Sequence, residues 1–153
     1  MTRVVRTHQI LIRAPLQNIF DYVSDLTRHS EWSDGALKIE AVHSGPIAVG
    51  KEYISRGEAA IQKNRLNTVL ITSYEPPHTF GFVANDPLVG DISHIFTFTE
   101  ENGRVRVERQ MTLSLNPLAA IVFRLLVYPM LGSPSMEKSL ALLKARLEQK
   151  IRG

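Results

Sequence analysis

Apolar and polar residues alternate along much of the chain and then change to a three-and-four spacing near its end, the shift that separates strands from a helix. Val4, Ile10 and Ile12 share one parity with Arg6 and His8 between them. That run predicts a strand ending at Ala14-Pro15, where proline fits a helix start. Leu16, Ile19, Phe20 and Val23 then share one face of a short helix, and Asp25 to Glu31, anchored by Leu26 and Trp32, predicts a second brief one. From residue 35 the texture is repeated strands. Leu37, Ile39 and Ala41 alternate, Tyr53 and Ile54 lie in a second run, and further runs cover Arg65 to Tyr74, Thr79 to Val83, Gly90 to Phe98 and Arg104 to Leu115. Ser44-Gly45-Pro46, Val49-Gly50, Glu75-Pro76-Pro77-His78 and Asn85-Asp86-Pro87 break them, and Glu101-Asn102-Gly103 has the chemistry of a tight hairpin turn. Six or seven strands with no crossover helices imply an antiparallel meander in an α+β fold.

Near the end, Met136, Leu140, Leu143, Leu147 and Ile151 form an apolar stripe that can lie on a sheet, with Ser133 as its cap and Pro134 at the first helical position. The preceding Leu118 to Leu131 is apolar on nearly every side except at Arg124. It is either wholly buried or part of the rim of an apolar chamber, a rim that is mobile or touches a membrane. Interrupted by Arg124 and Pro129, it reads as too short to cross a bilayer, so no transmembrane segment is expected.

The 153 residues suit one domain, 1–153, able to hide about two thirds of its extended surface. With no cysteine, disulfides, thiolate nucleophiles and thiolate zinc sites are excluded. The net charge of +3 is scattered rather than massed in a stripe, so no nucleic-acid partner is expected. The first residues lack a continuous apolar signal region, and a cytoplasmic protein is the default.

Two residues interrupt the oily pattern. His94 is in register with Ile92, Phe96 and Phe98, and Arg109 with Val107, Met111 and Leu113. Polar groups on the apolar face of a sheet must find partners or face a wet cavity. His94 could act as a base or orient a carbonyl, and Arg109 could hold a carboxylate, enolate or phenolate oxygen. The competing reading pairs Arg109 with Glu58, the inward candidate, since Glu108 has the opposite parity. Tyr53 offers a phenol or simply packs. Asp86 and Asp91 are explained by turns. The five histidines include no close ligand pair, and neither a phosphate-binding glycine loop nor a nucleophile elbow is present. No metal and no cofactor are expected.

Ile10-Leu-Ile-Arg-Ala-Pro15, Ile19-Phe-Asp-Tyr-Val-Ser-Asp25, Glu31-Trp32, Gly45-Pro-Ile-Ala-Val-Gly50, Tyr74-Glu-Pro-Pro77 and Met136-Glu-Lys-Ser-Leu-Ala-Leu-Leu-Lys144 together resemble the START-like, Bet v 1-like superfamily. The similarity is greatest to its polyketide cyclase/dehydrase and lipid-transport-like members, and it spans almost the whole chain. It implies a helix-grip fold, a curved antiparallel sheet of about seven strands wrapped around the long C-terminal helix, with two short helices after the first strand. A cavity between sheet and helix is implied as well, for a lipid, polyketide or aromatic compound. Tyr53, Glu58, Phe80, Phe82, His94, Phe96, Phe98, Arg109, Met111 and Leu113 are its candidate lining, and His94 and Arg109 its candidate catalytic pair. Three functions stand open: a binding or transport protein for a small hydrophobic ligand, a cyclase, dehydratase or isomerase using the same chamber, and an adaptor using Leu118 to Leu131. The sequence leaves turnover and homodimerisation open.

Overall fold

A computed structural model describes residues 1–33, 37–59, 62–87 and 89–152, with the side chains of 37, 58, 59, 62–65 and 150–152 outside that description. Strand β1 (Thr2–Ile12) leads into helix α1 (Leu16–Ser24) and a 3₁₀ helix (Leu26–Glu31). Pro15 lies just before α1 and its carbonyl accepts from the Ile19 amide at 3.1 Å, while the Asp25 carboxylate caps the 3₁₀ helix through the Thr27 amide. Strands β2 (Leu37–Ala41), β3 (Glu52–Ala59), β4 (Gln62–Glu75), β5 (Thr79–Asp86), β6 (Gly90–Glu101) and β7 (Arg104–Leu115) follow. They form one curved antiparallel sheet in the order β1-β7-β6-β5-β4-β3-β2. Only β1 leaves the meander, crossing to pair with β7 so that the two ends of the strand sequence meet. The β6–β7 hairpin turns at Asn102 and Gly103, both with positive φ (50° and 76°), the twist a two-residue hairpin requires.

The chain ends in α2 (Pro117–Val122), a π-helical stretch (Phe123–Gly132) and α3 (Ser133–Arg152). Leu140, Leu143 and Leu147 of α3 share the main core with Ile19, Phe20 and Trp32 from the short helices and Ile71, Phe80 and Phe98 from the sheet. The sheet thus grips the helix. Burying this one large apolar cluster, at about 25 cal/mol per Å2, is the main force holding the layers together.

Three details depart from the sequence reading. Strand β5 continues through Asn85 to Asp86, because Asn85 and Asp86 still pair with Asp91 and Gly90. Ser133 is not a cap: its φ and ψ of −64° and −48° are helical, and the helical run passes through it without a break. Pro129 is accommodated because the π-helical stretch widens the ladder around its missing amide. Among the described residues one continuous helix, Pro117–Gln149, is long and apolar enough to cross a membrane by length and composition, and only 11% of its most apolar stretch is buried.

Candidate functional site

The strand registers build the site. Across the inner face, Ile71, Phe82, His94, Met111 and Arg6 stand in one cross-strand row, and Tyr74, Phe80, Phe96, Arg109 and His8 in the next. Phe98, Val107 and Ile10 form a third. Two apolar clusters result. The main core takes Tyr53, Phe80, Phe82, Phe96 and Phe98, while Leu113, Val4 and Ala120 form a second one, with Met111 half-buried beside it. His94 and Arg109 lie on the seam between them.

Both are buried, His94 at 9% and Arg109 at 7% exposure. Arg109 Nε donates to His94 Nδ1 at 3.3 Å, which assigns the ring proton of His94 to Nε2. The His94 ring stacks on Phe82 with centroids 5.0 Å apart, and the Arg109 guanidinium lies over Phe96 at 5.3 Å. Among the described residues no carboxylate pairs with Arg109. The side chain of Glu58, its anticipated partner, lies outside them.

Burial first, and the neighbouring Arg109 charge second, hold His94 well below its ordinary pKa, so its imidazole is neutral at pH 7. Burial alone pulls Arg109 down to about 10, which leaves it a cation. At neutral pH the pair therefore offers hydrogen-bond donors only: the terminal guanidinium N–H groups and His94 Nε2–H. The lone pair that would make His94 a base is already engaged by Arg109.

Three further residues belong to this region, and the sequence pattern did not bring them forward. His8 faces Arg109 directly across β1 and β7 and hydrogen-bonds through Nε2 with the Tyr128 hydroxyl. Burial lowers its pKa, with Glu137 opposing and Arg109 adding to the shift. Tyr128, on the sheet-facing side of the π-helical stretch, also receives Arg6 over its ring at 5.2 Å. His29 packs edge-on against Trp32 at 4.3 Å and is depressed to about 3 by burial and then by the Arg109 charge. Trp32 in turn meets Phe96 edge-on at 6.1 Å. The indole N–H of Trp32, Nδ1 of His29 and the Ser24 hydroxyl are buried with no hydrogen-bond partner among the described residues. Only the parity of His8 with Val4 and Ile12 hinted at any of this. Its position opposite Arg109 follows from the β1–β7 register.

Tyr53 stands on the inner face in the row of Val69, Ala84 and Ile92, apart from the row of His94. Burial raises its phenol pKa. Clefts among the described residues open elsewhere. One of about 720 Å3 lies between the β6–β7 turn and Arg13 to Leu16, one of about 580 Å3 lies along β3, β4 and β5, and one of about 430 Å3 lies between α1 and Leu147. Neither His94 nor Arg109 lines any of the three; the pair sits on the inner face. Among the described residues no cluster of three histidine or carboxylate side chains could hold a metal ion.

Comparison with known proteins places this geometry. Among solved structures, the chain is similar to the di-domain ARO/CYC StfQ from the steffimycin biosynthetic pathway, with TM-score 0.77 and 10% identity over 99% of this chain and 52% of that one. It thus spans about half the length of that protein. The Zhui aromatase/cyclase from Streptomyces sp. R1128 matches with TM-score 0.73 and 14% identity over 99% and 98% of the two chains. Ara h 8.0201 matches with TM-score 0.69 and 11% identity over 97% and 99%. At these identities the likeness is one of fold. A search of curated proteins finds no significant sequence match. The family model described as polyketide cyclase / dehydrase and lipid transport matches residues 1–148, and the chain belongs to that family.

Proposed function

We propose that the protein binds a small apolar molecule carrying an acidic or strongly accepting oxygen, with that oxygen against Arg109 and Nε2 of His94 and the apolar body along Phe82, Phe96 and Met111. The observation that carries this reading is a buried guanidinium whose described polar contact is a neutral imidazole rather than a carboxylate. A buried cation without a counter-charge costs several kcal/mol, of order, and an anionic oxygen supplied by a ligand offsets that cost. Family membership supports the apolar part of the ligand.

The test is a titration with a long-chain fatty acid and with its methyl ester, which match in apolar surface and differ in charge. The acid is expected to bind at least about tenfold more tightly, a difference of roughly 1.4 kcal/mol. Arg109→Met should erase that preference while the ester still binds. Equal affinity of acid and ester for the unaltered protein would overturn the assignment. Extraction and native mass spectrometry of protein from cells would then identify the natural ligand.

A second reading, cyclisation or dehydration of a ketone-bearing chain, draws on the same donors and on the likeness to two aromatase/cyclases. Arg109 and His94 Nε2–H would stabilise an enolate oxygen, and the proton would be taken by a group other than His94. Unchanged turnover of a polyketide-type ketone by His94→Ala and Arg109→Ala proteins would exclude it.

A further inference from the structure

The helix that carries Tyr128 turns its oily side outward. Leu118, Leu125, Met130 and Leu131 are 70–72% exposed, and Ile121 and Leu126 more than half exposed, whereas Ala120, Phe123 and Tyr128 face the sheet. This reverses the usual arrangement of a surface helix, whose apolar stripe lies on the core. An apolar face of this extent marks a surface that something else covers.

The charge within this stretch is of one sign. The sequence has no acidic residue between Glu108 and Glu137, and none before Asp21. Arg124 donates to the Arg3 carbonyl at 3.1 Å, which holds its guanidinium where the helix meets β1, and Arg6 lies over Tyr128 on the sheet side. Glu137, exposed on the first turns of α3, is within electrostatic reach of His8 and Tyr128.

We propose that the outer face of Pro117–Gly132 docks on a bilayer surface rich in anionic headgroups, its leucines entering the acyl boundary and Arg124 meeting the phosphates. Exposed apolar residues flanked mainly by cations are the composition of a helix that lies in the membrane interface. A two-fold pairing of the same face with a second copy would bring the arginines of both chains together, an unfavourable like-charge contact. Spanning is disfavoured by length and packing. The outward face covers about 15 residues, or roughly 22 Å, against a hydrocarbon core of about 30 Å, and the next turns of α3 are committed to the protein core through Met136, Leu140 and Leu143. Since Tyr128 is on the underside of this helix, beside His8, docking would place the Arg109 end of the inner face directly beneath the membrane-bound helix.

The experiment is flotation of the full chain with vesicles of phosphatidylcholine alone and with one third phosphatidylglycerol, at low and high salt. Binding is expected to the anionic vesicles and to weaken with salt. Arg124→Glu should lower it by roughly fivefold or more, and Leu125→Asp with Met130→Asp should abolish it while leaving the circular dichroism and melting temperature unchanged. No flotation with anionic vesicles would overturn the proposal, as would equal binding to neutral ones. So would a dimer that the paired aspartate substitutions split into monomers without any vesicle binding. Fatty-acid titration of the soluble protein reads the ligand site separately, so the two proposals can fail independently.

Discussion

Arg109 and His94 are neighbours on adjacent strands, joined by a 3.3 Å hydrogen bond from Nε to Nδ1, and both are buried. That bond satisfies one face of the imidazole and one of the five guanidinium N–H groups. A cation held this way contributes little to the fold, because the neutral ring returns only part of the lost hydration.

Replacing Arg109 by methionine, which keeps most of the length and removes the charge, should leave stability unchanged or raise it by up to about 2 kcal/mol. Urea unfolding monitored by Trp32 fluorescence measures this directly. A loss greater than 2 kcal/mol would mean that the guanidinium is a structural group with an internal counter-charge. Retained stability with lost fatty-acid preference would be the pattern of a binding residue kept at the expense of the fold.

The inner-face side chains were largely legible in the sequence, and their partners were not. Period-two alternation puts His94 with Phe96 and Arg109 with Val107 on one face because successive residues of a strand point to opposite sides. The same pattern is silent about which strands adjoin. His8 meets Arg109 only because β1 pairs with β7, a contact between opposite ends of the chain that no local spacing encodes. His29 lies in a 3₁₀ helix too short to show a face. Leu118 to Leu131 was ambiguous for a different reason: a stretch that is oily on most sides has no polar face to indicate which side looks outward, and its exposure emerges only when Ala120, Phe123 and Tyr128 are seen turned to the sheet.

Stability should fall on mild acidification. His29 and His94 have folded pKa values depressed by burial, His29 to about 3 and His94 well below 6.5, so the unfolded chain takes up protons that the folded one refuses. The contribution is complete above about pH 6.5 and is lost as the pH falls from there toward 3, with a slope of up to about 1.4 kcal/mol per pH unit for each histidine. His8, lowered in the same sense, adds to it. Unfolding free energies measured from pH 7.5 to 4.5 should show this decline, and His29→Phe should flatten it. A level profile between pH 7 and 5 would show that these rings are protonated in the folded protein.

The contact between Tyr128 and the sheet depends on Gly132. A β-carbon built at Gly132 would come within 2.7 Å of Cδ2 of the Tyr128 ring, closer than real β-carbons approach, so the ring or the helix must move if alanine is placed there. Moving it breaks the His8 hydrogen bond and withdraws the ring from Arg6. Gly132→Ala should therefore cost about 1–3 kcal/mol, while Tyr128→Phe, which keeps the ring and its packing, should cost only about 0.5–1.5 kcal/mol. The two also separate in hydrogen exchange. Gly132→Ala should lower the protection of amides throughout Phe123–Gly132, because the ring fastens that stretch to His8 and Arg6 of β1, whereas Tyr128→Phe should leave most of that protection in place. Equal, small effects from both substitutions would mean that the helix is held by Ala120 and Phe123 alone, and that Tyr128 does not fasten it over the Arg109 end of the inner face.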